Sequence, residues 1–289
     1  MLKTVAIYSK DSSEKTKKEV IRLISEFSGL GVDVFLYQPL QDIDYDAPVK
    51  RFSALSMLSP LPEMALSVGG DGTFLETAMN VKNIGIPIAG INTGRMGFLA
   101  NIPADDIERS VAMLINNDYS IIERCCLKLE KPERLFSGNG ASALNEITIQ
   151  KVGQSMITIN IEVDGNHLNT YWSDGVIVST ATGSTAYNLS SGGPILSPDD
   201  TSIIISPISP HNLTVRPIVL SGKSRLKLTV KGRSREFMTT CDSRSKRVSF
   251  SEEVHISMDS VKIKTVMLKG MDFYSTLRNK LMWGLDRRN

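Results

Sequence analysis

The sequence holds only three cysteines, two of them adjacent at Cys125 and Cys126. That is too few for a disulfide framework, and a reducing, cytoplasmic setting fits best. Histidine is equally scarce. His167, His211 and His255 lie far apart, without metal-ligand spacing, so each reads as structural or solvated. Charge of one sign is also lacking. The 33 Lys and Arg residues against 31 Asp and Glu leave a net +2, which gives no electrostatic case for nucleic acid or a membrane surface. No apolar run reaches spanning length, residues 1–8 enter a strand pattern without a secretory leader layout, and there is no repeat or low-complexity tract. No Gly-x-x-x-x-Gly-Lys-Ser/Thr motif is present, and no Gly-x-Gly-x-x-Gly follows the first strand, which disfavours a P-loop enzyme and a Rossmann dehydrogenase. What is present is 41% hydrophobic residues over 289 positions, enough for a sizeable core in two domains.

The stretch with the strongest chemical pattern is Ala65-Leu66-Ser67-Val68-Gly69-Gly70-Asp71-Gly72-Thr73-Phe74-Leu75. A short apolar run reads as a buried parallel strand, the glycines as a turn, and the residues from Gly72 or Thr73 onward as a helix. Strand, glycine turn and helix place a ligand at the carboxyl end of a sheet, where glycine N–H groups reach a phosphate. Asp71 does not suit phosphate binding. It suits accepting a proton from an attacking hydroxyl, or holding a metal. Around this stretch, Val5-Ala6-Ile7-Tyr8 and residues 32–36 are strands. Between them lies a helix carrying Val20, Ile21, Ile24 and Phe27, opened by a capping box at Asp11 and Glu14, with Lys15, Lys17, Lys18 and Arg22 on its solvated face. A less regular stretch follows from residue 42 to residue 62. Residues 87–91 form the next strand, and Asn92-Thr93-Gly94-Arg95-Met96-Gly97-Phe98-Leu99 makes a second glycine-rich turn, either a wall of the same crevice or a plain loop. Residues 103–115 read as a helix. Together these make an α/β N-terminal domain with a Rossmann-like parallel sheet, residues 1–119.

From residue 120 to 265 short strands separated by Gly, Asn, Asp and Pro predict an all-β, sandwich-like domain. The strand patterns include residues 124–130, 145–151, 155–163, 175–180, 201–206, 224–230, 247–250, 254–257 and 261–267. Asp164-Gly165 reads as a hairpin turn. Residues 266–289 form a tail whose helix, residues 273–283, returns to the first domain. Within the β region, Asn145-Glu146 is an amide beside a carboxylate, and Ser173-Asp174-Gly175 is a second Asp-Gly. Each alone is as ordinary as a surface pair or a turn. The run Thr180-Ala181-Thr182-Gly183-Ser184-Thr185-Ala186-Tyr187-Asn188-Leu189-Ser190-Ser191-Gly192-Gly193-Pro194 is rich in hydroxyls and glycines and favours a sugar or phosphate site over a linker. Residues 210–217 (Pro-His-Asn-Leu-Thr-Val-Arg-Pro) join two strands.

Taken in order, these motifs resemble the NAD kinase family over nearly the whole chain. The glycine loop alone is shared with diacylglycerol and sphingosine kinases; the Thr-Gly-Ser-Thr-Ala-Tyr run and Asn145-Glu146 narrow it. The resemblance implies transfer of the γ-phosphate of ATP to the 2′-hydroxyl of the adenosine ribose of NAD, with Asp71 as general base and Gly72 against the same ligand. It implies that Asn145 and Glu146 hold the adenosine and that Asp174 contacts NAD, in this family often across a subunit interface. Thr182, Thr185, Ala186, Tyr187, Asn188, Leu189 and Ser190 would line the dinucleotide site, and Gly69, Gly70, Thr73 and Arg95 would serve the ATP phosphates. A divalent cation, Mg²⁺ in the first instance, and a cytoplasmic homo-oligomer are further expectations; neither nucleic acid nor a membrane is. Two positions depart from the family. Trp172 stands where many members carry Arg or His, and Asp242-Ser243-Arg244 stands where bacterial relatives often read Asp-Gly-Gln. A lipid or sphingoid kinase would need a hydrophobic acceptor pocket or a membrane-facing surface, and a non-catalytic dinucleotide sensor would have no use for Asp71.

Overall fold

A computed structural model describes residues 2–40, 43, 45, 47–94, 97–136 and 141–282. Arg95, Met96 and Trp283 lie outside the described residues. The chain forms two compact units, residues 1–123 with 263–289, and residues 124–262.

The first unit is built on one sheet. Its order from one edge is Val49–Phe52, Asp33–Tyr37, Thr4–Tyr8, Met64–Gly69, Ile88–Asn92, Ile263–Leu268 and Tyr119–Arg124, with Ile102–Pro103 also paired to Ile88–Asn92. The pairings from Val49–Phe52 through to Ile263–Leu268 are parallel. Met64–Gly69 and Ile88–Asn92 are buried at every residue, which is why they read as unbroken apolar runs. Helix Glu14–Gly29 lays Val20, Leu23, Ile24 and Phe27 into the core, and Ile107–Ile115 adds Ile107, Val111 and Leu114. Each such side chain contributes about 1.5–3 kcal/mol of transfer free energy. The chain runs from Thr4–Tyr8 to its neighbour on one side and later places Met64–Gly69 on the other. At the carboxyl ends of these two strands the strand order reverses, the position where open α/β sheets take ligands. The glycine loop leaves Met64–Gly69 there.

Three local expectations change. The cap of the first helix is Ser13, whose extended backbone lets its Oγ accept from the Thr16 N–H at 3.4 Å. Asp11 instead braces that cap, accepting from the Ser13 N–H at 2.9 Å and the Thr16 hydroxyl at 2.6 Å. Val49–Phe52, inside the stretch that looked irregular, is an edge strand. The strand expected at residues 261–267 of the β domain is Ile263–Leu268, and it joins the parallel sheet of the first unit.

The second unit is a sandwich of two antiparallel sheets with six strands each among the described residues. One runs in the order Ile218–Leu220, Ile203–Ile208, Gly175–Ser179, Glu146–Lys151, Glu236–Cys241, Arg244–Ser249. The other runs Asn166–Ser173, Ile157–Val163, Leu226–Lys231, Glu253–Met258, Leu127–Lys131, Ser142–Ala143. Alternate residues point inward: Ile157, Ile159 and Ile161 from one strand and Leu226, Leu228 and Val230 from its neighbour meet Ile147, Ile149, Val176, Val178 and Phe237 in one core. Asp164 and Gly165, both at positive φ, make the expected hairpin turn. The tail helix Phe273–Leu281 belongs to the first unit and is capped by Asp272, which accepts from the Ser275 N–H.

Candidate active site

Asp71 is the first residue of helix Asp71–Val81, with Gly70 as its N-cap, so the helix starts one or two residues earlier than its sequence pattern indicates. A carboxylate in a first helical turn is favoured by the aligned peptide dipoles. Its oxygens are fixed by the loop after the next strand. The Phe98 N–H donates to Oδ2 at 3.0 Å, and the N–H groups of Leu99 and Ala100 donate to Oδ1 at 3.0 and 2.9 Å. Gly97 lets this loop approach, since a Cβ there would overlap the Asp71 carboxylate. Gly69, at φ +148°, sits where a side chain would press on the Thr73 hydroxyl. Lys280 of the tail helix completes the surroundings. Its Nζ lies 3.5 Å from Asp71 Oδ2 and 4.5 Å from the centre of the Phe98 ring. Hydrogen bonds to a charged acceptor contribute about 1.5–3 kcal/mol each, whereas a half-exposed ion pair contributes about 0–1. The backbone donors therefore orient Asp71, and Lys280 does not. With its side chain 31% exposed, the carboxylate remains reachable.

In the second unit an analogous arrangement holds Asn145 and Glu146. Asp242, at the turn after Glu236–Cys241, is almost wholly buried. It accepts from the N–H groups of Leu144 at 2.9 Å, Asn145 at 2.8 Å and Glu146 at 3.3 Å. Arg244 lies 3.6 Å from it and donates to the Ser142 carbonyl at 2.6 Å, so this departure from the family pattern acts as a brace on the same corner. Asn145 Oδ1 and Glu146 Oε2 are buried without a hydrogen-bond partner among the described residues. Burial, with the nearby Asp242 charge second, pushes the Glu146 carboxyl up to about 8. Burial also pushes Asp242 up, against the pull of its three N–H donors and Arg244. The three N–H donors and Arg244 favour the charged form at Asp242, whereas Glu146 Oε2 has no such donor among the described residues. Unpartnered buried polar atoms are costly unless a ligand completes them.

The hydroxyl-rich run wraps the same corner. The Thr180 N–H donates to the Asn145 carbonyl at 2.9 Å, and the Thr180 hydroxyl to the Leu144 carbonyl at 2.6 Å. Thr182–Thr185 forms a 3₁₀ turn and Tyr187–Ser190 a single helical turn. Arg124, which carried no sequence signal, donates to the Thr182 hydroxyl at 3.3 Å. Tyr187 and Ser190 are exposed, and Thr185, Ala186 and Leu189 half-buried. Asn188 differs from its neighbours. It is fully buried, its amide donates to the Ser184 and Pro194 carbonyls, and its Oδ1 accepts from Ser206. It braces the run from inside. Asp174 is not brought to this corner. It precedes strand Gly175–Ser179, whose far end pairs with Glu146, so the two lie apart by roughly 17 Å of extended chain. There it forms a 2.6 Å ion pair with Lys151. Trp172 is half exposed, with its ring 4.5 Å from that of His211.

Comparison with known proteins fits both units. Residues 8–119 match the ATP-NAD kinase N-terminal domain, and residues 144–268 the ATP-NAD kinase C-terminal domain. The NAD kinase of Flavobacterium johnsoniae is 39% identical over 292 residues, 99% of each chain. That of Cytophaga hutchinsonii is 46% identical over 229 residues, 79% of this chain and 78% of the other. Among solved structures, the NAD kinase from Archaeoglobus fulgidus in complex with ATP aligns with a TM-score of 0.76 at 25% identity, over 96% of this chain and 98% of that one. Yeast NADH kinase complexed with NADH shares the fold, with a TM-score of 0.86 at 23% identity over 99% and 89% of the two chains. The chain belongs to the ATP-NAD kinase family.

The Glu146 carboxyl gives a stability test. The unfolded chain releases this proton near the usual 4.5 and the folded chain near 8, so stability is greatest below that window and falls as pH rises through it. Thermal melts between pH 5 and 8 are expected to show Glu146→Gln losing less stability with rising pH than the wild type.

Proposed function

We propose that this chain transfers the γ-phosphate of ATP to the 2′-hydroxyl of the adenosine ribose of NAD, giving NADP, with Asp71 as the general base. The observation that carries the assignment is the Asp71 carboxylate, immobilised by three backbone donors at a helix N-terminus on a glycine loop. Phosphoryl transfer asks for alignment and charge neutralisation more than covalent help. As the hydroxyl oxygen bonds to the γ-phosphorus, its proton passes to Asp71. The bond from phosphorus to the β–γ bridging oxygen breaks, and that electron pair leaves with ADP. Asp71 contributes by position rather than by basicity.

Gly69, Gly70 and Thr73 are assigned to the ATP phosphates beside the helix N-terminus, as is Arg95 on its sequence position alone. Gly72 is assigned to the ligand side of the same turn. In the second unit, Asn145 and the protonated Glu146 hold the adenosine, since their free polar atoms call for a ligand's donors and acceptors. Thr182, Thr185, Ala186, Tyr187, Leu189 and Ser190 line the dinucleotide, with Asn188 as their internal brace. The divalent cation is placed on the phosphates of ATP, where it would neutralise charge. Among the described residues no three His, Cys, Asp or Glu side chains are grouped to hold a metal, and Mg²⁺ is ordinarily held by one or two carboxylates with substrate phosphates. No helix among the described residues is long and apolar enough to cross a membrane, and a cytoplasmic enzyme is the reading we adopt.

Asp174 fits service to a neighbouring subunit's site, because it stands at the far end of its strand from Asn145 and Glu146. We therefore read the protein as a homo-oligomer with shared sites.

Purified protein is expected to form NADP from NAD and ATP. Asp71→Asn should bind NAD within a few-fold of wild type and lose at least ~100-fold in turnover. Near-normal turnover in that variant would remove the general-base role. A mixing experiment tests the shared site. Asp71→Asn and Asp174→Ala, each poorly active alone, should recover about one quarter of wild-type activity after subunit exchange as dimers, because half the dimers are mixed and each carries one complete site. Activity that stays at the mean of the two variants would place Asp174 in its own chain's site or outside any.

A further inference from the structure

The tail helix Phe273–Leu281 is held lightly for an element that reaches the active carboxylate. Within it only Thr276 is buried, while Tyr274 and Leu281 are exposed. Phe273 and Leu277 are half-buried, so apolar burial accounts for its position only in part. Phe273, at its first turn, lies 6.4 Å from the Phe98 ring, and Lys280, near its last, places its ammonium over that same ring. Phe98 is also the residue whose N–H donates to Asp71 Oδ2. One aromatic side chain thus links the helix, the lysine and the carboxylate.

The free lone pairs of Asp71 locate what Lys280 faces. A carboxylate has about four acceptor positions. Among the described residues Oδ1 receives two N–H donors and Oδ2 one, which leaves one position on Oδ2. Lys280 stands opposite that oxygen at 3.5 Å, longer than a direct ammonium–carboxylate hydrogen bond of about 2.7–2.9 Å. An acceptor hydroxyl that gives its proton to Asp71 must come to the remaining position on Oδ2. The lysine is then next to the reacting oxygens.

We propose that Lys280 is a catalytic residue of the phosphoryl transfer, an ammonium delivered by the tail helix that yields Asp71 Oδ2 to the acceptor hydroxyl and takes the oxygens of the transferring phosphoryl group as its partner. The inference rests on the kinase reading above. Its role is electrostatic: it forms no covalent bond and gives up no proton, and it matches charge that gathers on the phosphoryl oxygens in the transition state. Orientation of Asp71 is left to the backbone donors, so Lys280 is not required for substrate binding.

Steady-state kinetics of Lys280→Met and Lys280→Arg test this, with NAD and ATP varied and melting temperatures as the folding control. Lys280→Met is expected to melt as wild type, to keep its KM for NAD within about threefold, and to lose about 100-fold in kcat. Lys280→Arg is expected to regain at least a tenth of wild-type kcat, and added methylammonium to restore part of the activity of Lys280→Ala. A Met variant with kcat within about twofold of wild type, or faster, overturns the proposal, as does a loss of kcat that the melting temperature accounts for. Wild-type protein that forms no NADP would instead overturn the kinase reading, so the two failures are separable.

Discussion

A carboxylate that accepts three successive backbone N–H groups cannot rotate without breaking charge-assisted hydrogen bonds. The chain uses this device twice. Phe98, Leu99 and Ala100 hold Asp71 in the first unit, and Leu144, Asn145 and Glu146 are held by Asp242 in the second. The direction of constraint differs. Around Asp71, a loop immobilises the side chain proposed as the general base. Around Asp242, a buried side chain immobilises the backbone of the two residues proposed to hold the adenosine.

Exposure separates the two roles. The Asp242 side chain is 2% exposed and the Asp71 side chain 31%. Burial pushes the neighbouring Glu146 up to about 8, so a carboxyl group in the second unit is available as a hydrogen-bond donor near neutral pH. Among the described residues Asp71 keeps one acceptor position on Oδ2 without an N–H donor. The glycines follow from this economy of space. At Gly97 any side chain would strike the Asp71 carboxylate. The three cysteines are buried free thiols, and burial pushes Cys241, next to Asp242, up to about 12, which keeps a thiolate charge out of that corner.

Much of this was legible in the residue order, and the illegible part has a physical cause. The strand, loop and helix around Asp71 are local, so an apolar run and three glycines announce them. The donors that hold Asp71 lie 27 to 29 residues further on, Lys280 is brought by the last helix, and Asp242 reaches back 96 to 98 residues. No periodicity encodes such pairings. Edge strands were the other loss. Val49–Phe52 buries one residue and Asn166–Ser173 two, so neither presents an apolar alternation. Strand Glu236–Cys241 alternates, but it points Thr239 and Cys241 inward beside Phe237, which weakens the signal. Ile263–Leu268 was visible as a strand, yet nothing in its residues says which sheet it joins. Asn188 sits within the hydroxyl-rich run, and nothing in the residue order says that its amide is buried and holds that run together.

The proposed reaction has one requirement, that a sugar hydroxyl meet the Asp71 carboxylate at Oδ2. A crystal structure of the wild-type enzyme with NAD and a non-hydrolysable ATP analogue measures this directly. The account predicts the adenosine 2′-oxygen within about 3 Å of Asp71 Oδ2, with the three N–H bonds from residues 98–100 intact. A 2′-oxygen more than about 5 Å from both Asp71 oxygens, or a carboxylate turned out of its backbone donors in the complex, would contradict it.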